Sequence, residues 1–312
     1  MWWTKKGHSH PGWVALAVTE RDIRCVHGNY DGAGNPAVLR LASELIENPE
    51  DLAKSAKTLA LDGCQCATVL LPGDYQLLVL DAPNVPQEEL RAAIRWRIKD
   101  MIDYHVDDST VDVLDIPVDK SAGAGRARTM FAVAARNDII QACVEKFQGA
   151  GIPLSVIDIP ETAQRNISGL YEDKGRGAAL LYLGEDGGLL TVSYAGELYL
   201  SRRLDVPLAS LTRDDEPEQR NDCFQRILLE LQRTLDHLER QFPWVIVTKL
   251  LLAPEPTETG LAEFLRSNLD IAVIPVDLRD KIAFADANAE PGLQWQLFHL
   301  IGASLRHETK VL

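Results

Sequence analysis

No apolar run in the sequence approaches the roughly 20 residues that a membrane-crossing helix needs. The opening MWWTKKGHSHPG has no apolar core of the kind a signal peptide carries, so the expected location is the cytoplasm. Basic residues are in the minority: 32 Lys and Arg against 46 Asp and Glu leave a net charge of −14. A field of that sign repels nucleic acid and anionic lipid, and nucleic-acid binding is set aside. Cysteine is sparse and odd in number. Cys25, Cys64, Cys66, Cys143 and Cys223 are scattered through apparent strands and helices, which suits reduced thiols. Cys64-Gln-Cys66 has no second pair to complete a metal site, and His8 and His10 lie in an N-terminal tail that seldom builds one. There is no Walker-type phosphate loop, no HExxH and no nucleophile elbow. Neither a metal nor a catalytic residue is assigned. Trp2 and Trp3 beside Lys5 and Lys6 have the composition of a lipid-interface segment, too short to bind strongly alone.

What is present is a repeated order of elements. At 312 residues and 46% hydrophobic content the chain is long enough for two globular lobes. After a flexible segment at 1–12, strands at 13–18, 22–27 and 37–41, a helix near 47–60 and a strand at 67–72 read β-β-β-α-β. The same order returns with strands at 178–183, 189–195 and 197–204, a helix at 221–241 and a strand at 245–252. The expected architecture is a duplicated, two-lobed α/β protein: a first lobe at 13–74, resumed at 151–176, and a second at 177–312. The second lobe ends in a strand at 271–276 and a helix at 292–306. Residues 75–150 read β-α-β-β-α and form a small inserted α+β subdomain, with a polar loop at 119–128.

Within the insertion the helix at 86–102 is the most informative element. Pro86 suits a first turn, Glu88 and Glu89 sit near the positive end of the helix dipole, and Lys99 lies near the other end. Leu90, Ala93, Ile94, Ile98 and Met101 form an apolar stripe, with Glu88, Arg91, Arg95 and Lys99 opposite. Trp96 belongs to neither side. It either covers a neighbouring element of the same domain or forms a partner-binding edge.

Several segments resemble the PilM-related pilus assembly proteins, above all their MSHA-pilus branch. They are Val85-Pro86-Gln87-Glu88-Glu89-Leu90, Ile94-Arg95-Trp96-Arg97-Ile98-Lys99-Asp100 and Val111-Asp112-Val113. Phe131-Ala132-Val133-Ala134-Ala135, the run from Gly151 to Asp158, Gly196-Glu197-Leu198, Ser201-Arg202 and the run from Ile301 to Arg306 extend the likeness over most of the chain. The resemblance implies an actin-like ATPase (RNase H-like) fold with two related lobes and an inserted subdomain. It also implies a role at the inner face of the bacterial inner membrane, docking the cytosolic tail of a bitopic pilus assembly protein, with the pilus assembly ATPase as a further partner. The inserted subdomain takes part in that docking, which makes Arg95, Trp96 and Lys99 the candidate partner-binding residues.

The residues that hold nucleotide in such folds have drifted. The first phosphate hairpin reads Leu16-Ala17-Val18-Thr19-Glu20-Arg21, with Ala17 in the carboxylate place and Thr19 in the glycine place, and Glu20 would repel a phosphate. The second keeps Gly184, Asp186, Gly187 and Gly188 as a vestigial phosphate hairpin, but Tyr182 replaces its carboxylate, and Asp186-Gly187 is in itself a hairpin signal. On the adenosine side Leu252-Ala253-Pro254 stands where a glycine pair is expected, and proline removes a backbone donor. The expectation is a scaffold without ATP hydrolysis, with ATP and Mg²⁺ disfavoured as cofactors. Two alternatives stand: an active ATP-binding protein in which Glu185 or Asp186 supplies the missing carboxylate, and a type II secretion platform protein. The latter usually continues into a membrane helix, and no such run follows residue 276.

Overall fold

The structure is a computed structural model, and it describes residues 12–19, 22–45, 51–59, 61, 64–118, 128–212, 217–285 and 289–307. Trp2, Trp3, His8, His10, Glu20 and most of the loop at 119–128 lie outside the described residues. The chain divides into two compact units, one formed by residues 1–69 and 150–312 and the other by residues 70–149.

The larger unit holds two sheets built by one pairing rule. In the first, β1 (Trp13–Val18), β2 (Asp22–Asn29) and β3 (Ala37–Leu45) form an antiparallel meander. After α1 (Asp51–Thr58) the chain returns as β4 (Gln65–Val69), parallel to β1. In the second, β9 (Gly177–Leu183), β10 (Gly188–Tyr194) and β11 (Glu197–Leu204) form the meander, and after α5 (Pro217–Gln241) β12 (Val247–Leu252) lies parallel to β9. Each sheet gains a further parallel strand, β8 (Leu154–Asp158) beside β4 and β13 (Ala272–Pro275) beside β12. A two-residue strand β14 (Ala283–Phe284) adds to the β3 edge, giving the orders β14-β3-β2-β1-β4-β8 and β11-β10-β9-β12-β13.

One core joins these sheets. Ala15, Val26 and Val38 from the first and Ala178, Leu180 and Leu251 from the second enclose α4 (Pro160–Ser168) and α8 (Phe298–Ser304). The two helices cross closely because Gly302 has no side chain: a Cβ there would overlap the Ala163 carbonyl oxygen. Every residue of α4 is buried, polar ones included, and hydrogen bonds offset the cost of their desolvation. Thr191 Oγ1 donates to Gln164 Oε1 at 2.8 Å, Asn166 Nδ2 donates to Gly302 O at 3.0 Å, and Ser168 Oγ and Ser193 Oγ share a bond of 2.6 Å.

Several boundaries differ from those expected. β3 runs on to Leu45, and α1 is shorter than the helix at 47–60. α5 starts at Pro217 rather than 221, since proline suits a first helical turn and the polar residues after it propagate the helix. The helix expected at 292–306 is two: α7 (Pro291–Gln296) and α8, bent at Leu297, where ψ relaxes to 10°. The bend leaves the backbone bonds Leu297 N to Leu293 O (3.0 Å) and Ile301 N to Leu297 O (2.8 Å) in place.

The smaller unit is an antiparallel sheet in the order β5 (Tyr75–Asp81), β7 (Thr129–Arg136), β6 (Ser109–Asp115). α2 (Gln87–Ile98) buries Leu90, Ile94 and Ile98 against Leu80, Val111, Met130, Ala132 and Ala134. α3 (Asn137–Gly149) packs on β6 and β7 and buries Phe147. Met101, expected in the apolar stripe, lies beyond the end of α2 and is 48% exposed.

Candidate functional site

In the first hairpin the described turn residues Thr19 and Asp22 bond to each other. Thr19 N donates to Asp22 O at 2.9 Å, Asp22 N donates to Thr19 Oγ1 at 3.0 Å, and the Thr19 hydroxyl donates to Asp22 Oδ1 at 2.5 Å. Arg24 holds the other carboxylate oxygen of Asp22 at 2.8 Å. An anion at this turn would compete with bonds already made.

In the second hairpin, Gly184 N donates to Gly187 O at 2.8 Å, and Gly184 O accepts from Leu208 N at 2.9 Å. Each glycine meets a packing demand. A Cβ on Gly187, whose φ is +139°, would lie 2.6 Å from Leu204 O; on Gly188 it would lie 2.9 Å from a Leu183 methyl; on Gly184, 3.0 Å from the Tyr182 ring. The close approach of β11 and Tyr182 therefore accounts for all three glycines. Glu185 and Asp186 are exposed at the tip.

Tyr182 itself is locked in an aromatic stack. Its ring lies 5.3 Å from Phe298 and 6.5 Å from Trp295, both within 18° of parallel, with His299 edge-on at 4.5 Å. Trp295 Nε1 donates to Leu183 O at 2.7 Å, tying α7 to the end of β9. Burial pushes the Tyr182 phenol above its ordinary range and drives the His299 imidazole down to about 3, so His299 is neutral. Its Nε2 lies 3.3 Å from Gln164 Nε2. At the end of β12 Ala253 N donates to Leu181 O at 2.9 Å, and Leu252, Ala253 and Pro254 are buried.

α2 carries the candidate partner-binding residues, and its side chains divide sharply. Trp96 is 77% exposed, so it covers no neighbouring element. At 100° per residue it stands opposite the buried face of Leu90, Ile94 and Ile98, on the outward side rather than between faces. Lys99 Nζ lies over its ring at 5.8 Å. Arg95 is turned elsewhere: its guanidinium donates to Ser109 O and Val106 O, each at 2.7 Å, and holds the short 3-10 turn at Val106–Asp108. The structure brings Trp96 and Lys99 together and separates Arg95 from them. Arg91 pairs with Asp112 at 2.9 Å, and Arg97 donates to Asp81 O at 2.7 Å.

Two further features escape sequence reading, because each joins distant segments. A cleft of about 410 Å³ in the larger unit is lined by Tyr30, Arg165, Glu172, Lys174, Tyr194 and His307, among others. Lys249 pairs with Asp173 at 2.7 Å, and Arg165 lies 3.9 Å from Glu197. Glu172 accepts from Gly196 N at 3.0 Å through one carboxylate oxygen, while its other, Oε1, is buried without a hydrogen-bond partner among the described residues. Glu161, in the first turn of α4, is 1% exposed and meets Arg203 at 3.3 Å. Among the described residues no group of three His, Cys, Asp or Glu is placed to hold a metal, and no helix is long and apolar enough to cross a membrane. Cys25, Cys64 and Cys66 are buried, and burial pushes the thiols of Cys25 and Cys66 up to about 12.

No family model and no curated protein matches the chain. Solved structures do. A chain of the PilM–PilN type IV pilus biogenesis complex is similar with a TM-score of 0.68 and 19% identity, over 95% of this chain and 98% of that one. A protein of Bacteroides thetaiotaomicron with an actin-like ATPase fold is similar with a TM-score of 0.51 and 8% identity, over 95% and 99%. The cytoplasmic domain of EpsL, an inner-membrane component of the type II secretion system of Vibrio cholerae, gives 0.49 and 16%, over 92% and 94%. The paired sheets, the buried helices between them and the first two of these likenesses define the chain as a two-lobed α/β protein of the actin-like ATPase fold.

Proposed function

We infer that this protein is a scaffold of a type IV pilus assembly platform, of the MSHA type and akin to MshI. In this role it docks the cytosolic tail of a bitopic inner-membrane protein from the cytoplasmic side and carries out no nucleotide chemistry. The observation that carries the reading is the end-to-end likeness to a chain of the PilM–PilN complex, which spans 98% of that chain. The state of the phosphate hairpins supports its non-enzymatic part. Thr19 N and Gly184 N are bonded within their own turns, and an aromatic stack fills the place of the second carboxylate.

On this reading function falls to a surface. The outward side of α2, with Trp96 and Lys99, is the docking face, and Arg95 supports it from beneath by fixing the turn at Val106–Asp108. Calorimetric titration with Mg-ATP tests the first half: no heat of binding is expected, and a micromolar dissociation constant would make the protein an ATP-binding one. Retention of the membrane partner tests the second. Tagged protein is expected to recover a bitopic protein with a short cytosolic tail from solubilised inner membranes, and recovery of none sinks the adaptor reading.

A further inference from the structure

On α2 the arginines are held by groups within the protein while the carboxylates, among the described residues, are not, and Arg97, held by a neutral carbonyl, keeps its charge. Arg91 is engaged by Asp112, Arg95 by two backbone carbonyls and Arg97 by Asp81 O. Glu88, Glu89 and Asp100 at the helix and its end make no ion pair among the described residues, and Lys99 is the one open cation beside them. The unit around the helix is acidic as well, with 13 Asp and Glu against nine Lys and Arg in residues 70–149.

The outward line of the helix runs from Glu89 through Ala92 and Ala93 to Trp96, and Asp100 follows in the turn just after the helix. A helical side chain leans toward the N-terminus over positions i−3 and i−4. For Trp96 those positions hold only Ala92 and Ala93, so the indole has a low shelf beneath it and carboxylates at both ends of the line. An exposed indole face between carboxylates is a receptor for a planar cation: the ring quadrupole attracts the guanidinium, and the carboxylates accept its hydrogen bonds.

We propose that the outward face of α2 binds an arginine-bearing segment of the partner, with a guanidinium stacked on Trp96 and paired with Glu89 or Asp100. This rests on the adaptor reading, and it fits the general excess of Lys and Arg in cytosolic segments flanking a membrane helix. Lys99, which lies over the indole in the free protein, is a competitor that the incoming guanidinium displaces.

The test uses the full-length protein and a fluorescein-labelled peptide of twelve residues in which arginines alternate with leucine and serine, followed by anisotropy. A twin peptide with each arginine replaced by glutamate is the control. The arginine peptide is expected to bind and the glutamate peptide to fail. Trp96→Ala should weaken binding about fivefold or more and Trp96→Phe should retain most of it. Glu89→Lys should weaken binding and Lys99→Glu should strengthen it, both effects shrinking as salt is raised. Preference for the glutamate peptide, or an unchanged affinity in Trp96→Ala, overturns the proposal; the exposed position of Trp96 keeps that variant folded. A second arm separates this proposal from the reading beneath it. If native protein and Trp96→Ala recover the same bitopic protein equally from inner membranes, the face is wrong and the adaptor stands. If the arginine peptide binds at Trp96 but no bitopic protein is recovered, the face stands and the adaptor reading falls.

Discussion

Arg306 Nη1 lies 3.5 Å from Asp158 Oδ2, with both side chains at most 9% exposed. The same guanidinium stands over the Trp13 ring at 5.2 Å. Asp158 closes β8, Arg306 follows α8 and Trp13 opens β1, so one ion pair joins three segments far apart in the chain. The Asp158 carboxylate also accepts from Ile159 N at 3.0 Å and from the Thr162 hydroxyl, which fixes the entry into α4.

Removing one partner of such a pair leaves the other charge buried. Arg306→Leu is therefore expected to cost about 3–5 kcal/mol in urea unfolding. The double variant Arg306→Leu with Asp158→Asn should recover part of that loss, since it removes both charges. A single variant within about 0.5 kcal/mol of the native protein, the range of a neutral surface substitution, would show that the pair does not stabilise the junction.

Much of the fold was legible because strands announce themselves by alternation and by the turn residues between them. Both meanders, the helix after each and the parallel return strand lie close to the ranges expected. What stayed hidden depends on contacts between distant residues. Asp158 and Arg306 each sit in a run that resembles the PilM-related proteins, yet nothing local says that they meet. The bend at Leu297 arises where Trp295 and Phe298 both reach Tyr182, a demand invisible in the periodicity of 292–306. The helical wheel sets Arg95 on the polar side, and only the structure shows that its length lets it reach carbonyls of the following turn.

The crossing of α4 and α8 makes Gly302 a test of helix spacing. Gly302→Ala drives a methyl group against the Ala163 carbonyl oxygen and should destabilise by about 1–3 kcal/mol, because backbone cannot yield as a side-chain tip can. Gly149→Ala, at the end of α3 with open space around its Cβ, is the matched control and should leave the thermal midpoint nearly unchanged. Equal midpoints for the two variants would mean that the helices separate without cost.

Restoring a carboxylate at the drifted position should not restore nucleotide binding. Tyr182→Asp places a charge among Trp295, Phe298 and His299 while the Gly184 amide stays bound to Gly187 O. The expected result is no heat with Mg-ATP and a loss of about 3 kcal/mol or more in unfolding free energy, from the lost stack and the buried charge. Saturable Mg-ATP binding by this variant would show that a single side chain, rather than the hairpin backbone, closed the site.

The half-buried imidazole of His299, packed against Tyr182 and Phe298, gives the stability a pH dependence whose direction can be worked out. Its folded-state value is depressed from 6.5 to about 3 by burial, so between those pH values the unfolded chain holds a proton that the folded chain refuses. Stability from this group is complete above about 6.5, and acidification through the window removes it. Asp277, lowered to about 2 chiefly by its hydrogen bonds with Arg279, acts in a separate and more acidic window, from 3.8 downward. Burial raises Glu172 and Glu255, which work in the opposite direction on acidification. The comparison must therefore be between variants rather than absolute. His299→Asn replaces the titrating ring with a neutral amide still able to meet Gln164, so its urea midpoint should fall less between pH 7 and pH 5 than that of the native protein. Parallel declines in the two proteins would show that His299 takes up its proton without unfolding, and that the stack around Tyr182 admits charge.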